Sequence, residues 1–311
     1  MKSRLSAIAI GAILACASHV ASSQTIAVAQ QGNGNTAASE QVGLTPYDTT
    51  QPDSASITQT GNDNHVGGPG ATSGGIFQRD IRYGVTAVVS QNGTGNNAGI
   101  TQDGARGTHG LVEARITQLG NGNDAAIAQA IVTSSPVIVN QSGSGNVARV
   151  EQIESADTSI RTSQSGTGNR LTVSQRGAVY HGPAITQAGD GNTVSVVANN
   201  MLAGGPDIVQ NGTLNSASTV QNDGDDSSIT IRQEGSGNIA DASQTGSDHV
   251  ADINQVGNAN LARVLQTGAG NTATIAQIGN SNIASISQPG EGYVANVNQT
   301  GSGNWTNIYQ H

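Results

Sequence analysis

The sequence predicts an all-β protein, a β-solenoid of about twelve two-strand rungs. Each rung is a strand, a turn, a second strand and a second turn. Three observations predict this fold: a short motif recurs twelve times, Gly and the amide residues are abundant, and aromatic residues make up only 2% of the chain. A large globular core normally depends on aromatic clusters. An ordered repeat rich in Gln and Asn instead favours amyloid-like stacking of strands.

The recurring motif is Q-x-G-x-x-N. Its Gln lies at positions 30, 59, 91, 118, 141, 164, 187, 210, 233, 255, 277 and 299. The interval is first 29, 32 and 27 residues, then 23 residues five times and 22 residues three times. The repeat unit is therefore 22–23 residues long and becomes regular toward the C-terminus. Such a period is typical of units that stack on one another.

Each unit consists of two similar arcs. From position 233 to position 310 a Gln recurs every eleven residues. Ten of the twelve motif copies have this closing Gln eleven residues after the first Gln, whereas the second and seventh copies have Gly70 and Ala198 there. We expect these two rungs to be weak points of the stack or sites where a loop bulges.

The residues of each arc alternate between two faces. Ala273, Ile275 and Gln277 share one parity, and the same parity recurs in the neighbouring arcs. Because successive side chains of a strand point to opposite faces, these residues are predicted to face inward, in strands of about five or six residues. The two strands of a rung would enclose a thin interior of Ala, Ile, Val and Gln side chains.

The inward Gln and Asn residues are predicted to form amide ladders. A buried amide group left unpaired costs about 1–3 kcal/mol, and identical amides at the strand spacing pair along the stack. A one-residue slip would turn them outward, so the ladders hold the register. The predicted ladder residues are Gln118, Asn123, Gln129, Gln141, Asn146, Gln152, Gln164, Asn169, Gln175, Gln210, Asn215, Gln221, Gln233, Asn238, Gln244, Gln255, Asn260, Gln266, Gln277, Asn282, Gln288, Gln299, Asn304 and Gln310.

Gly-rich segments between the strands predict the turns. Gly and Asn accept the positive φ angles that a tight reversal needs. The predicted turn glycines are Gly143, Gly166, Gly189, Gly212, Gly235, Gly257, Gly279 and Gly301.

The first residues predict export. Lys2 and Arg4 precede an apolar run over residues 5–15, and small residues precede Gln24, so residues 1–23 are predicted to be a signal peptide. The apolar run is shorter than the roughly 20 residues of a membrane-spanning helix, so we expect no membrane span. Cys16, the single cysteine, lies in this segment. Its surroundings faintly match a bacterial lipidation motif, and a small apolar residue of the signal peptide is the simpler interpretation.

The rest of the chain divides by regularity. Residues 24–112 hold irregular repeats with inserted loops, and residues 113–311 form the regular solenoid. The inserts lie at residues 46–52, 67–83 and 105–111. The mature chain, which we define as residues 24–311, has no cysteine, and this excludes disulfides and thiolate metal sites.

Charge excludes a nucleic-acid binder. The mature chain has ten Arg, no Lys and 21 acidic residues, so its net charge is −11 (10 − 21), the opposite of what nucleic acid attracts. Several acidic residues are predicted at turns or outward positions, where they are either brakes on premature association or an ordinary solvated surface. They are Asp190, Glu234, Asp241, Asp252 and Glu291.

No cofactor, metal or catalytic site is predicted. The mature histidines show no metal-ligand spacing and are expected to be solvated. They are His65, His109, His181, His249 and His311. The acidic segment at 223–226 occurs once, whereas calcium-binding solenoids repeat their Asp in every turn. Because clustered carboxylates are also missing from the pattern, we predict that the protein is not an enzyme.

The motif resembles the curlin repeat, S-x5-Q-x-G-x-x-N-x-A-x3-Q. Gln255, Gly257, Asn260, Ala262 and Gln266 match it, as does the eighth copy, and only the Ser is often replaced. The resemblance covers nearly the whole mature chain. It implies a structural subunit of extracellular curli-type amyloid fibres on the bacterial cell surface, which serve the biofilm matrix, surface adhesion and cell aggregation. It also implies a homopolymer, with a curli nucleator subunit and an outer-membrane secretion pore as partners.

Two alternatives stay open. The chain could be a minor nucleating curli subunit, or a monomeric cell-surface β-solenoid adhesin. A solitary adhesin or ice-binding column would need a flat outward array of Thr or aromatic residues, whereas residues such as Arg115, Asp252, Thr274 and Asn296 make the outward positions mixed. The regular C-terminal half suits a polymerising subunit, and we expect growth by end-to-end addition of rungs.

Overall fold

Parallel β-strands make up the fold, with no helix among the described residues. The structure is a computed structural model that describes residues 25–42, 53–67, 74–82, 84–107 and 112–311. Two compact units divide the chain, Met1–Ala148 (unit 1) and Arg149–His311 (unit 2). The sequence-based boundary at 112/113 stays a prediction. The predicted signal peptide, Cys16, the whole insert at 46–52 and parts of the inserts at 67–83 and 105–111 lie outside the described residues.

The strands of unit 1 alternate between two sheets. They are β1 (Thr25–Gln31), β2 (Thr36–Ala37), β3 (Ser39–Val42), β4 (Ser54–Asn62), β5 (His65–Val66), β6 (Ile76–Arg79), β7 (Val85–Thr94), β8 (Asn97–Asp103), β9 (Val112–Asn121), β10 (Asp124–Ala130) and β11 (Val137–Ser144). The first sheet has the order β1-β4-β7-β9-β11. The second has the order β2-β5-β8-β10, and β3 pairs with β6, which also pairs with β8.

Unit 2 repeats this arrangement more regularly. After β12 (Val147–Ile153), which begins at the end of unit 1, its strands are β13 (Ile160–Thr167), β14 (Arg170–Arg176), β15 (Ala184–Asp190), β16 (Thr193–Asn199), β17 (Pro206–Thr213), β18 (Ser216–Asn222), β19 (Ser228–Ser236), β20 (Ile239–Ser247), β21 (Val250–Asn258), β22 (Leu261–Ala269), β23 (Thr272–Asn280), β24 (Ile283–Glu291), β25 (Val294–Ser302) and β26 (Trp305–Tyr309). The odd-numbered strands from β13 to β25 form one sheet, and the even-numbered strands up to β26 form the other.

Both units are β-solenoids. Each strand pairs in parallel with the equivalent strand of the next repeat, so that Gln233 lies opposite Gln255 and Gln255 lies opposite Gln277. The chain passes from the first sheet to the second and back once per repeat. The first sheet has five strands in unit 1 and seven in unit 2. The predicted all-β solenoid of about twelve rungs is confirmed.

Alternate residues of each strand point into the interior. In β23, Ala273, Ile275 and Gln277 are fully buried, whereas Thr274 and Ala276 are partly exposed. The predicted inward parity is therefore confirmed. Most strands have seven to ten residues rather than five or six. In the nine-residue strands the parallel pairing continues past the Gln through the Gly of the turn.

An insertion in unit 1 moves one closing Gln out of the eleven-residue spacing. His65 in β5 pairs with the first residue of β8, and β6 pairs with the end of β8. Gln78 in β6 consequently lies opposite Gln102. The expectation that this copy lacks its closing Gln was wrong, because the extra residues shift Gln78 in sequence without changing its register. Gly70, which the period had pointed to, lies outside the described residues.

Candidate functional site

The inward Gln side chains form hydrogen-bonded ladders in both units. In unit 2, Gln255 Nε2 donates to Gln277 Oε1 at 2.9 Å, and Gln277 Nε2 donates to Gln299 Oε1 at 2.9 Å. In unit 1, Gln59 Nε2 donates to Gln91 Oε1 at 2.8 Å. Each of these bonds runs from the nitrogen of one rung to the oxygen of the next rung toward the C-terminus. The side-chain dipoles of a Gln ladder therefore all point the same way.

The second hydrogen of each Gln amide joins the two sheets. Gln255 Nε2 also donates to the Ile239 carbonyl at 2.9 Å, and Gln266 Nε2 donates to the Val250 carbonyl at 3.0 Å. Both N–H groups are thus paired inside the protein. One side chain thereby fixes the register along its own sheet and the separation from the opposite sheet. An apolar residue of similar volume would fill the space without either constraint.

The Asn side chains form a ladder that runs in the opposite direction. The backbone N–H and the Nδ2 of Asn260 donate to Asn238 Oδ1 at 3.0 and 3.1 Å. Asn260 Nδ2 also donates to the Gly279 carbonyl at 2.8 Å. In the Asn ladder each side chain donates to the Asn of the preceding rung, whereas in the Gln ladders each side chain donates to the Gln of the following rung. At the C-terminal end of the stack the Gln ladders therefore end in a donor, and the Asn ladder ends in an acceptor.

Nearly all the predicted ladder residues are buried. The exceptions are Asn304, which is exposed, and Gln310, which is half-buried, both in the last described rung. The same ladders contain buried amides that the prediction left out, namely Gln59, Asn64, Gln78, Gln91, Asn96, Gln102, Gln187 and Asn192. All of these except Gln78 belong to visible motif copies, so the repeat itself was the signal that could have found them. That the ladders set the register of assembly is a proposal, taken up below.

One ladder of unit 2 is interrupted at Ala198. In the parallel register Ala198 lies opposite Gln175 on one side and Gln221 on the other. Gln221 Oε1 is buried and has no hydrogen-bond partner. Met201, which is also buried, packs against Ala198 and Ala178. A methionine from the turn therefore occupies this part of the interior in place of an amide. That this rung is a weak point of the stack stays a prediction.

Stacked glycines line the first turn of each repeat. The eight predicted turn glycines have φ angles between +106° and +126°, which side chains rarely adopt. A Cβ added to Gly257 would lie 2.0 Å from the carbonyl oxygen of Gly279 in the next rung. Glycine is thus required twice, by its backbone angle and by the close approach of the next turn.

One histidine lies in the interior, contrary to expectation. His249 is fully buried at the second turn of its rung. The Asn271 N–H donates to His249 Nδ1 at 3.3 Å, and His249 Nε2 lies 3.1 Å from the Thr245 carbonyl oxygen. The prediction of a solvated side chain was wrong here, because the ring takes the place that Asn271 takes one rung later. His65 is half-buried, His181 and His311 are exposed, and His109 lies outside the described residues.

The charged side chains singled out above lie on the outer surface. Asp190, Glu234 and Glu291 are exposed, and Asp241 and Asp252 are half-buried. Arg263 Nε lies 3.4 Å from Asp241 Oδ2, an exposed pair of small energetic value. In the part of the chain that the structure describes, no three His, Cys, Asp or Glu side chains are grouped so as to hold a metal ion. The same residues include no helix long and apolar enough to cross a membrane.

Comparison with known families places the repeats. Three stretches of unit 2 match the family model described as the curlin associated repeat, at residues 207–235, 224–257 and 257–290. This chain carries curlin repeats. The Gln, Gly and Asn of each curlin repeat are the residues that form the two ladders and the stacked turn. No curated protein matches the chain. Curlin repeats on a β-solenoid fold indicate a curli-like structural protein.

Proposed function

We propose that this chain is a structural subunit of an extracellular curli-type amyloid fibre, which grows as one copy stacks its rungs on those of the next. The observation that carries the proposal is the last described rung, which has the ladder residues of an interior rung but pairs on one side only. Within the described residues, β25 and β26 each have a single strand neighbour. A strand with an unpaired edge is a template for another chain.

The ladder residues of this last rung lack the partners that interior rungs have. Gln299 Nε2 donates to the Ile283 carbonyl, as interior residues do, but its second hydrogen goes to Thr306 Oγ1 at 3.0 Å instead of to another Gln. Asn304 Oδ1 accepts no N–H from a following Asn among the described residues, whereas Asn282 Oδ1 accepts the Asn304 N–H at 3.0 Å. At this end Gln299 Nε2 would exchange Thr306 Oγ1 for an acceptor of another copy, and Asn304 Oδ1 is a free acceptor among the described contacts.

The first described rung offers the complementary groups. Gln30 donates to Gln59 at 2.6 Å, but its own Oε1 accepts from no earlier Gln among the described residues. A second copy could place Gln30 Oε1 next to Gln299 Nε2, and the Asn35 N–H next to Asn304 Oδ1. Both bonds would then reproduce those of interior rungs.

The spacing of the Gln residues is the same in the first and the last described rung. Gln30 and Gln41 are eleven residues apart, as are Gln299 and Gln310, so both ladders can continue in one register. The Gln and Asn ladders donate in opposite directions. Only a head-to-tail contact therefore pairs Gln299 Nε2 with Gln30 Oε1 and also Asn304 Oδ1 with the Asn35 N–H. Repetition of a head-to-tail contact that does not close into a ring produces a filament.

Location and partners rest on the curlin repeats rather than on geometry. For a curli-type protein we infer secretion, assembly into a fibre on the bacterial cell surface, and roles in the biofilm matrix, in adhesion and in cell aggregation. A nucleator subunit and an outer-membrane secretion pore are the proposed partners, and self-association is the main interaction. The proposed role is structural and not enzymatic.

The test is assembly of the mature chain, residues 24–311, after dilution from denaturant. Thioflavin fluorescence follows growth, and fibre diffraction examines the product. We expect a lag, then growth, and a meridional reflection near the ~4.8 Å strand spacing. A lasting β-rich monomer at high concentration would contradict the proposal and favour the solitary adhesin.

A further inference from the structure

The second turns of unit 2 contain a short column of side chains that accept backbone hydrogen bonds. Ser227 Oγ accepts the His249 N–H at 3.1 Å, His249 Nδ1 accepts the Asn271 N–H at 3.3 Å, and Asn271 Oδ1 accepts the Tyr293 N–H at 2.8 Å. Each side chain thus satisfies the backbone of the next rung. Loss of the Ser227 or His249 acceptor would leave a buried N–H unpaired, and loss of the Asn271 acceptor would leave a half-buried one unpaired.

His249 occupies this column as an imidazole version of Asn. Its Nε2 lies 3.1 Å from the carbonyl oxygen of Thr245, four residues earlier, and Asn271 Nδ2 lies 3.0 Å from the carbonyl oxygen of Thr267, also four residues earlier. A carbonyl oxygen only accepts, so Nε2 must carry the hydrogen. A backbone amide only donates, so Nδ1 must be bare. The two contacts select the neutral ring with its hydrogen on Nε2.

We propose that His249 makes the C-terminal part of unit 2 sensitive to acid. A proton added at Nδ1 would turn the acceptor into a donor that faces the Asn271 N–H. The hydrogen bond between these rungs would be lost, and a charge would be enclosed, since the ring is fully buried. Neutral His249 therefore supports the stacking of residues 250–311, and the protonated ring opposes it. This inference goes beyond the proposed function, because it concerns how the solenoid responds to its surroundings.

The groups around the ring do not offset this loss. Its hydrogen-bond partners, Thr245 and Asn271, and its neighbour Gly246 carry no charge, and Gly246 is close enough that a Cβ there would lie 3.3 Å from Nε2. The titratable groups of the same turn region are the carboxylates Asp223, Asp225, Asp226 and Asp248 and, two rungs further on, Tyr293. None of these makes a hydrogen bond to the ring among the described contacts. These carboxylates, of which Asp225 is half-buried and the others are exposed, attract a cation, but they cannot supply the acceptor that Asn271 loses.

The test compares hydrogen–deuterium exchange of the mature chain and its His249→Asn variant at pH 7.0 and pH 5.0. The variant keeps the acceptor and the donor of the column but cannot titrate. Because both proteins have the same intrinsic exchange rates at one pH, their ratio isolates His249. We expect residues 250–311 to exchange alike at pH 7.0. At pH 5.0 the unmodified chain should exchange faster, by up to about 30-fold if imidazole titrates near 6.5 when exposed. His181→Asn, which removes an exposed ring, should change nothing.

A second measurement keeps the inference falsifiable if the variant folds poorly. Nitrogen-15 spectra of labelled histidine should show one protonated and one bare ring nitrogen for His249 at pH 7.0, with the hydrogen on Nε2. Equal exchange of the two proteins at pH 5.0 would overturn the inference. So would a fully protonated His249 ring at pH 5.0 in a chain whose residues 250–311 remain protected.

Discussion

Gln255 Nε2 lies 2.9 Å from Gln277 Oε1, and the two residues occupy the same position of consecutive repeats. The contact is one step of a ladder in which interior amides such as Gln255 and Gln277 give one hydrogen to the following rung and another to the opposite sheet. A polar side chain in the interior of this solenoid thus does the work that aromatic clusters do in a globular core. The consequences can be tested residue by residue.

Removal of one ladder amide should destabilise unit 2. In Gln255→Leu, Gln233 Nε2 loses its acceptor and Gln277 Oε1 loses its donor, and the link from Gln255 to the Ile239 carbonyl of the opposite sheet is also lost. Each orphaned group costs about 1–3 kcal/mol. The guanidinium midpoint of unfolding should therefore fall clearly. Asn254→Leu, on the exposed face of the same strand, is the matched control and should leave the midpoint nearly unchanged.

Repair of the interrupted ladder should stabilise unit 2. The double variant Ala198→Gln with Met201→Ala restores the pair found in the preceding rung, Gln175 with Ala178. The new amide can donate to Gln221 Oε1, which is buried and unpaired. We expect a gain of about 1–3 kcal/mol in the free energy of unfolding. Ala198→Leu with Met201→Ala fills the same space without the hydrogen bond, and a gain as large as that of the Gln variant would contradict this explanation.

Relief of a strained turn residue should also stabilise unit 2. Leu214 has a φ angle of +56°, at a position where the neighbouring rungs have Gly191 and Gly237, and its side chain is 68% exposed. A left-handed conformation costs a residue such as Leu about 1–2 kcal/mol, and Asn tolerates it better. Leu214→Asn should raise the thermal midpoint. Leu214→Ala keeps the strain, so a rise of the same size in that variant would show that exposure, not backbone strain, was responsible.

Asp53 should give unit 1 a dependence on pH. Burial raises the pKa of its carboxyl, against the lowering effect of hydrogen bonds from the Val85 and Gly84 backbone. The folded state then holds the proton more tightly than the unfolded state. Stability should therefore increase as the pH falls through the raised pKa toward the ordinary value near 4. Asp53→Asn, which keeps the acceptor of the Val85 N–H, should remove this rise of the thermal midpoint as the pH falls toward the ordinary carboxyl value. The exposed Asp63→Asn is the control.

Much of this architecture could be predicted from the sequence, because a strict repeat states the register directly. The inward parity of Ala273, Ile275 and Gln277 followed from strand alternation alone. Two features could not be predicted for physical reasons. An insertion moved Gln78 out of the eleven-residue period although hydrogen bonding kept it in register. His249 stands where the next rung has Asn271, and nothing in the sequence indicates that the two are equivalent. They make the same contacts because an imidazole presents one acceptor and one donor, much as an amide does.

The direction of the ladders was also hidden from the sequence. A repeated Gln shows that amides stack, but not which way they donate. The direction depends on how each Gln amide is oriented. In Gln255 one hydrogen of Nε2 bonds to the Ile239 carbonyl across the interior, and the other bonds to Gln277 in the following rung. The opposite direction of the Asn ladder follows from the backbone N–H of Asn260, which shares the Asn238 acceptor. Polarity of assembly is therefore an inference that needed the coordinates.

The measurement that tests end-to-end assembly most directly is seeded growth of Gly301→Ala. Within one copy, the φ angle of +108° strains an Ala at Gly301, but its Cβ meets nothing closer than Asn304 Nδ2 at 3.7 Å. A Cβ at Gly279, by contrast, would also lie 1.9 Å from the Gly301 carbonyl oxygen. A docked copy would bring its Gly32 into that same clash. Gly303→Ala, where a Cβ has open space, is the control, and hydrogen exchange verifies that both variants fold.

We predict that Gly301→Ala fails to elongate seeds of the unmodified protein and slows its growth at substoichiometric amounts, because it caps one end of each fibre. Gly303→Ala should elongate the seeds normally. Elongation of the seeds by folded Gly301→Ala at the unmodified rate would contradict rung-on-rung stacking through this face.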